Sequence, residues 1–201
     1  GILRFVGGLF LLLTAYYVLN VVREPLILAT GSAVSRSYAR AAQAGLLVAV
    51  IPLYSALATR IAPAVLVQYV FLFFLTSLLA FVGLGHAGVP IGFAFFVWLG
   101  IFSTMCIAQF WSLANDLLSE AEGERLFPLI ATGGTLGAIA GAQVAAQGIG
   151  ALGPFGLMLL AALLVAGCMA CTASGTRAWR TRVEATGTAT AAAGDAARSR
   201  V

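Results

Sequence analysis

Six long apolar runs, separated by short polar stretches, constrain this sequence more than any other feature. A helix that crosses the hydrocarbon core of a bilayer needs about 20 apolar residues. The second run is the shortest, although the small residues from Ala39 onward would allow it to begin earlier. Each run is continuous, whereas a transmembrane strand would alternate apolar and polar residues. The sequence therefore predicts an all-α bundle of six transmembrane helices, over residues 5–29, 44–58, 63–85, 91–115, 126–148 and 155–174.

The composition supports a membrane location. Hydrophobic residues make up 61% of the 201 residues and charged residues only 9%, whereas a soluble domain carries about 25% charged residues. The net charge of +4 comes from eleven arginines and seven acidic residues. The arginines lie between apolar runs and form no dense basic patch, so we expect no nucleic-acid partner. We predict an integral, multi-pass protein whose surroundings are the lipid bilayer.

The positions of the arginines also predict an orientation. Cytoplasmic loops are enriched in Lys and Arg. Placing the N-terminus in the cytoplasm puts six arginines inside, namely Arg4, Arg60, Arg125, Arg177, Arg180 and Arg182. Arg36 and Arg40 then lie outside, and the loops near His86 and Gly150 carry no arginine. This distribution predicts that both termini are cytoplasmic.

The last part of the chain differs in character from the rest. Residues 1–176 contain all six apolar runs, whereas residues 177–201 are first basic and then rich in Ala, Thr and Gly. Such a segment cannot bury enough apolar surface to fold, so we predict a disordered cytoplasmic linker or tail. Because the chain begins with Gly and ends in this linker-like composition, we expect it to be one half of a longer protein.

Polar residues interrupt the end of the first apolar run. Tyr16, Asn20 and Arg23 share one helical face, and Glu24 flanks them. A charge inside a membrane span costs about 2.5–3.5 kcal/mol on insertion scales, so it indicates function. These four residues are predicted to bind substrate. The alternative is that the helix ends at Val22 and that "REP" begins an outer loop.

The fourth run carries a second polar stripe. Met105, Gln109, Ser112 and Asp116 follow one another at spacings of four, three and four residues, which places them on one helical face. A polar stripe on each of two helices predicts a water-accessible cavity between them, with Gln109 as a further substrate contact.

Five charged residues between Asp116 and Arg125 form the densest charge cluster of the chain. Ser119 and Glu122 fit a capping box, so the cluster is predicted to be a short cytoplasmic turn before the fifth helix. We expect Arg60, Asp116 and Arg125 to act as gating residues that hold the cytoplasmic end closed. The alternative is that these charges are simply solvated at a turn.

Glycine spacing in the fifth run predicts close helix packing. Gly133, Gly137 and Gly141 form a GxxxGxxxG face, and small residues at this spacing let two membrane helices approach closely. A phosphate-binding loop is not expected, since "GGTLG" lacks the required Lys and lies within an apolar run.

No catalytic or metal-binding pattern stands out. Cys106, Cys168 and Cys171 all lie in apolar runs, and the single histidine, His86, is distant from them in sequence. The runs contain neither an HExxH nor a GxSxG motif. We therefore predict no enzyme activity, no metal and no cofactor.

Two stretches resemble a known family. "FWSLANDLLSEAEGERLFPLIATGGTLGAIAG" and "YYVLNVVREPLIL" are similar to the fourth-to-fifth helix region and to the first helix of the nucleotide-translocase branch of the major facilitator superfamily. This branch includes ATP/ADP exchangers, and its members have twelve helices in two halves. The resemblance implies that this chain is an N-terminal six-helix half with its central linker.

The pattern and the resemblance together predict a function. We expect half of a secondary active transporter in a bacterial inner membrane, which moves a small organic anion, such as a nucleotide, by alternating access. Its partner would be a second six-helix half, in the same chain or in a homodimer. The alternative is a six-helix structural or partner-binding subunit that transports nothing.

Overall fold

The described part of the chain is built from helices. The computed structural model describes residues 2–30, 33–118 and 120–198, and the described side chains end at residue 178. These ranges form five helical elements, α1 to α5, with the bounds Ile2–Thr30, Ala33–Ala58, Pro63–His86, Gly92–Leu117 and Glu120–Arg198. Each element is long and apolar enough to cross a membrane. The prediction of an all-helical membrane protein is confirmed at this level.

Helix α5 is interrupted at Gly153. This residue has φ 65° and ψ 177°, which no helix contains. Positive φ is readily available only to glycine, and Pro154 favours an extended ψ for the residue before it. The break divides α5 into a first arm, residues 120–152, and a second arm, residues 154–198. The fifth and sixth predicted runs fall on these two arms.

Helix α1 lies at the centre of the bundle, where it packs mainly against α5 and also against α4. Gly133 and Gly141 of the first arm face Val6 and Thr14, so this arm runs parallel to α1. The second arm runs antiparallel to α1, because Arg4 Nη1 donates a 2.8 Å hydrogen bond to the carbonyl oxygen of Ser174. We call the end of the bundle that holds Arg4 the Arg4 end, and the opposite end the Arg23 end.

Aromatic residues hold α3 against α4. Phe74 contacts Trp98 and Phe102 edge to face, with ring centroids 5.8 and 5.4 Å apart. The indole Nε1 of Trp98 donates a 2.8 Å hydrogen bond to Ser77 Oγ. Aromatic pairs of this geometry add about 0.5–1.5 kcal/mol to their area burial. The α3–α4 pair is therefore a rigid wall of the bundle.

Helix α2 is longer and less buried than the apolar pattern predicts. It begins at Ala33, whereas the prediction placed its start at residue 44. The additional turns contain Arg36 and Arg40, whose charges lowered the apolar signal of this segment although they do not prevent a helix. No residue of the most apolar window of α2 is buried inside the bundle. Most of the apolar side chains of this helix are therefore exposed or half-buried.

The C-terminal segment continues the second arm of α5. The backbone of α5 is helical as far as Arg198, whereas a disordered tail was predicted over residues 177–201. Alanine has the highest helix propensity of all residues, and this segment is rich in alanine. Disorder of the tail stays a prediction, and residues 199–201 of it lie outside the described residues.

Candidate functional site

Helix α1 continues through Pro25 to Thr30. Arg23 and Glu24 therefore lie on a helix, and the alternative in which the helix ends at Val22 is wrong. A proline in a helix removes one backbone hydrogen bond, but it does not end α1. Apolar residues on both sides of Pro25 continue the helix. The two charged residues lie near the Arg23 end of the bundle.

Three charged side chains meet at the Arg23 end. Glu24 Oε2 lies 2.9 Å from Nη2 of Arg36 on α2, and Glu24 Oε1 lies 3.5 Å from Nη2 of Arg23. The Arg23 guanidinium also lies over the ring of Phe96 on α4, with Cζ 4.4 Å from the ring centroid. A cation in this position is attracted by the ring face. We call Arg23, Glu24 and Arg36 the charged cluster; it joins α1 to both α2 and α4.

The charged cluster is only partly satisfied. The Nε atoms of Arg23 and Arg36 and the Oδ1 atom of Asn20 are buried, and none has a hydrogen-bond partner within the described part of the chain. An unsatisfied buried polar atom costs about 1–3 kcal/mol. Two guanidinium groups and one carboxylate leave an excess of one positive charge at this place. Such a cluster has both the charge and the free donors to hold an anion.

A groove runs along the seam between α1 and α4. It has a volume of about 370 Å³ and is lined by Tyr16 of α1 and by Ser103, Thr104, Ile107 and Ala108 of α4. Arg23 lies about two helical turns from Tyr16 on the same helix, and Asn20 lies between them. Of the predicted residues on α1, Tyr16 borders this groove, whereas Asn20, Arg23 and Glu24 follow it along the helix without lining the groove.

Gln109 is not part of this seam. Its side chain is only 3% exposed, and its Oε1 accepts a 2.7 Å hydrogen bond from the hydroxyl of Tyr54 on α2. The α4 face that meets Tyr16 is formed instead by Ser103, Thr104 and their neighbours one turn on. Positions 104 and 105 differ by about 100° around a helix. The predicted α4 stripe was thus one residue away from the face that borders the groove.

The predicted gating residues are all exposed. Arg60, Asp116 and Arg125 lie at the surface, and none of them takes part in the two ion pairs that the described side chains form. The structure therefore does not bring Arg60 and Asp116 together as a latch, and gating stays a prediction. Ser119, which was predicted to cap the fifth helix, lies outside the described residues.

The glycine face of α5 packs against the backbone of α1. Added Cβ atoms at Gly133 and Gly141 would lie 2.9 and 2.5 Å from the carbonyl oxygens of Val6 and Thr14, and one at Gly137 would overlap the backbone of Phe10. Thr14 Oγ1 donates a 3.1 Å hydrogen bond to the Gly137 carbonyl oxygen. These contacts hold the helix that carries the candidate site firmly against α5.

A larger cavity of about 1000 Å³ lies between α2, α3 and α4. Its lining is almost entirely apolar, with the rings of Tyr54, Phe73 and Trp98 among the wall residues. It presents no charged side chain to a ligand. We therefore place the candidate site at the charged cluster and the α1–α4 groove.

Arg36 is the member of the charged cluster that the apolar pattern missed. It was assigned to an outer loop, because the second run appeared to begin after it. A helical continuation through Ser35, Arg36, Ala39 and Arg40 would have placed it near the end of the first helix, close to Glu24. One sequence feature could have predicted this contact. Glu24 and Arg36 carry opposite charges and lie on consecutive helices that a short connection joins.

Comparisons with models of protein families, with curated proteins and with solved structures found no match to this chain.

Proposed function

We propose that this protein is half of a secondary active transporter that moves a small organic anion across the membrane by alternating access. The observation that carries the proposal is the charged cluster: two arginines and one glutamate on membrane helices, with a net positive charge and buried donors that lack partners. Ionisable residues in membrane spans mark substrate or ion pathways as a rule.

The neighbouring groove supports this proposal. Tyr16, Ser103 and Thr104, each of which carries a hydroxyl group, are among the residues that line the groove between α1 and α4. An arginine can hold a carboxylate or phosphate group through two parallel hydrogen bonds. The groove offers polar contacts for the rest of such a molecule, while the charged cluster binds its anionic group.

The wider assignment follows the resemblance of the sequence. We propose that the chain belongs to the nucleotide-translocase branch of the major facilitator superfamily, with cytoplasmic termini and a bacterial inner-membrane location. The Arg4 end would then face the cytoplasm. A second six-helix half, in the same chain or in a homodimer, would complete the transport pathway and rock against this one.

The test is anion uptake by the full-length protein in liposomes. Vesicles are loaded with unlabelled nucleotides or with small organic anions, and the uptake of the labelled form of each is measured against protein-free vesicles. The proposal predicts uptake of at least one anion that saturates with concentration and is accelerated by the same anion inside the vesicle. If the folded protein gives no uptake above the protein-free background, the transporter proposal is wrong and the structural-subunit alternative is favoured.

A further inference from the structure

We propose that the charged cluster is an anion site that selects for a single negative charge on the bound group, with Arg36 as its second cation and Glu24 as the residue that sets the charge preference. The inference rests on the proposed function in so far as it assigns the anion as the transported substrate. It goes beyond that function by naming the charge class of the bound group and two residues that decide it.

The geometry gives Glu24 a central position. Its two carboxylate oxygens contact different arginines: Oε1 contacts Arg23 of α1, and Oε2 contacts Arg36 of α2. Glu24 therefore keeps two like charges close together that would otherwise repel each other. It also compensates only one of them, so the cluster as a whole carries one uncompensated positive charge.

The unsatisfied atoms show where an anion would bind. A bidentate contact to an oxyanion uses Nε and one Nη along an edge of the guanidinium group. In both arginines an Nη2 atom contacts Glu24, whereas the buried Nε atom has no partner among the described residues. The side chains of Arg23 and Arg36 are 20% and 33% exposed. A change of side-chain rotamer in either arginine would turn its Nε–H edge towards an incoming oxyanion.

Charge balance then sets the preference. A monovalent group bound beside the cluster makes the site neutral, whereas a divalent group leaves one unpaired negative charge. Unpaired charges are costly where water is partly excluded. Removing the charge of Glu24 would raise the excess to two positive charges, and the preference would then shift towards divalent groups.

Methyl sulfate and sulfate are suitable probes. They share the same oxyanion geometry but carry one and two negative charges at any pH near neutrality. The affinity of the full-length protein for each is measured in detergent by calorimetry, for the wild type and for Glu24→Gln. Glu124→Gln is the matched control, since it removes the same charge from an exposed position towards the other end of the bundle.

The wild type is expected to bind methyl sulfate more tightly than sulfate. Glu24→Gln should change the ratio of the two affinities by about tenfold in favour of sulfate, because the lost carboxylate no longer repels the second negative charge of sulfate. Glu124→Gln should leave the ratio unchanged. An unchanged ratio in Glu24→Gln, or an equal shift in both variants, would overturn the inference.

A second pair of variants keeps the inference testable if Glu24→Gln does not fold. Arg36→Gln should weaken the binding of both probes by about tenfold or more, whereas Arg40→Gln, one turn further along α2 and exposed, should not. Equal binding by the two arginine variants would remove Arg36 from the site. Since this assay measures binding, the predicted pattern without any uptake would contradict transport alone, and uptake with an unchanged ratio would contradict the charge preference alone.

Discussion

Polar side chains inside this bundle form hydrogen bonds between helices. The Tyr54 hydroxyl donates to Gln109 across α2 and α4, and Gln68 Nε2 donates a 2.9 Å hydrogen bond to Thr172 Oγ1 across α3 and the second arm of α5. In a bilayer core no water replaces such a partner. The charged cluster differs from these pairs, because some of its buried polar atoms have no hydrogen-bond partner among the described residues. The contrast supports packing roles for the former and a binding role for the latter.

The Tyr54–Gln109 hydrogen bond should therefore contribute to stability. Tyr54→Phe and Gln109→Leu should each lower the free energy of unfolding, and a double-mutant cycle should give a coupling of about 0.6–1.7 kcal/mol, the range found for hydrogen bonds between membrane helices. The measurement is thermal or denaturant unfolding in detergent. Tyr69→Phe is the control, because Tyr69 is 60% exposed. Additive effects of the two substitutions would show that the side chains do not interact.

At the scale of the element, α1 combines packing with the candidate site. One of its faces lies against the glycines of α5, and Tyr16 and Arg23 on another part of its surface meet residues of α4. Close backbone contact on the first face fixes the position of the second. A change in the glycine contact should therefore affect both the stability of the bundle and the placement of Arg23.

Substitution of Gly137 tests this contact. Gly137→Ala should lower the free energy of unfolding by about 1–3 kcal/mol, since the added Cβ overlaps the backbone of Phe10 and the helices must separate. Gly83→Ala on α3 is the matched control: a Cβ there meets no atom within 4 Å, and alanine favours the helix. Thermal unfolding in detergent measures both. If the two variants unfold at the same temperature, the glycine face does not hold α1.

The individual helices also show which features of the fold can be predicted from the sequence. The bounds of α3 and α4 followed closely from apolar length, because the bilayer requirement leaves few alternatives. The start of α2 did not, since charged residues at a helix end weaken the apolar signal without breaking the helix. The rotation of α4, which turned Gln109 towards Tyr54 and away from Tyr16, depends on packing against two neighbours at once. A pattern of single residues along one helix does not contain that information.

Part of the candidate site could be predicted from the sequence, because those residues lie on a single helix. Tyr16, Asn20, Arg23 and Glu24 are neighbours on one helix, so local periodicity was sufficient to group them. Arg36 belongs to another helix, and only the fold brings its Nη2 within 2.9 Å of Glu24. The proposed latch between Arg60 and Asp116 also required contact between elements, and the structure does not form it.

At the scale of the whole molecule, charge is unevenly distributed between the two ends of the bundle. The Arg4 end carries exposed charges such as Arg60, Asp116 and Arg125, which are well solvated at a membrane surface. The Arg23 end carries the charged cluster, whose groups are partly buried and contact one another. If the charged cluster binds the anion as proposed, the substrate would enter from the Arg23 end, and the opposite end would carry the solvated charges.

If Arg23 holds the transported anion, its loss should abolish most of the uptake by reconstituted protein. Uptake of the anion that the wild type transports fastest is measured in liposomes with equal amounts of folded wild type, Arg23→Ala or Arg40→Ala protein. Arg40→Ala is the control, because it removes an exposed arginine from α2. The loss of charge-assisted hydrogen bonds to a bound anion should reduce uptake by Arg23→Ala about tenfold or more, while Arg40→Ala transports at the wild-type rate. Wild-type uptake by Arg23→Ala would contradict the account.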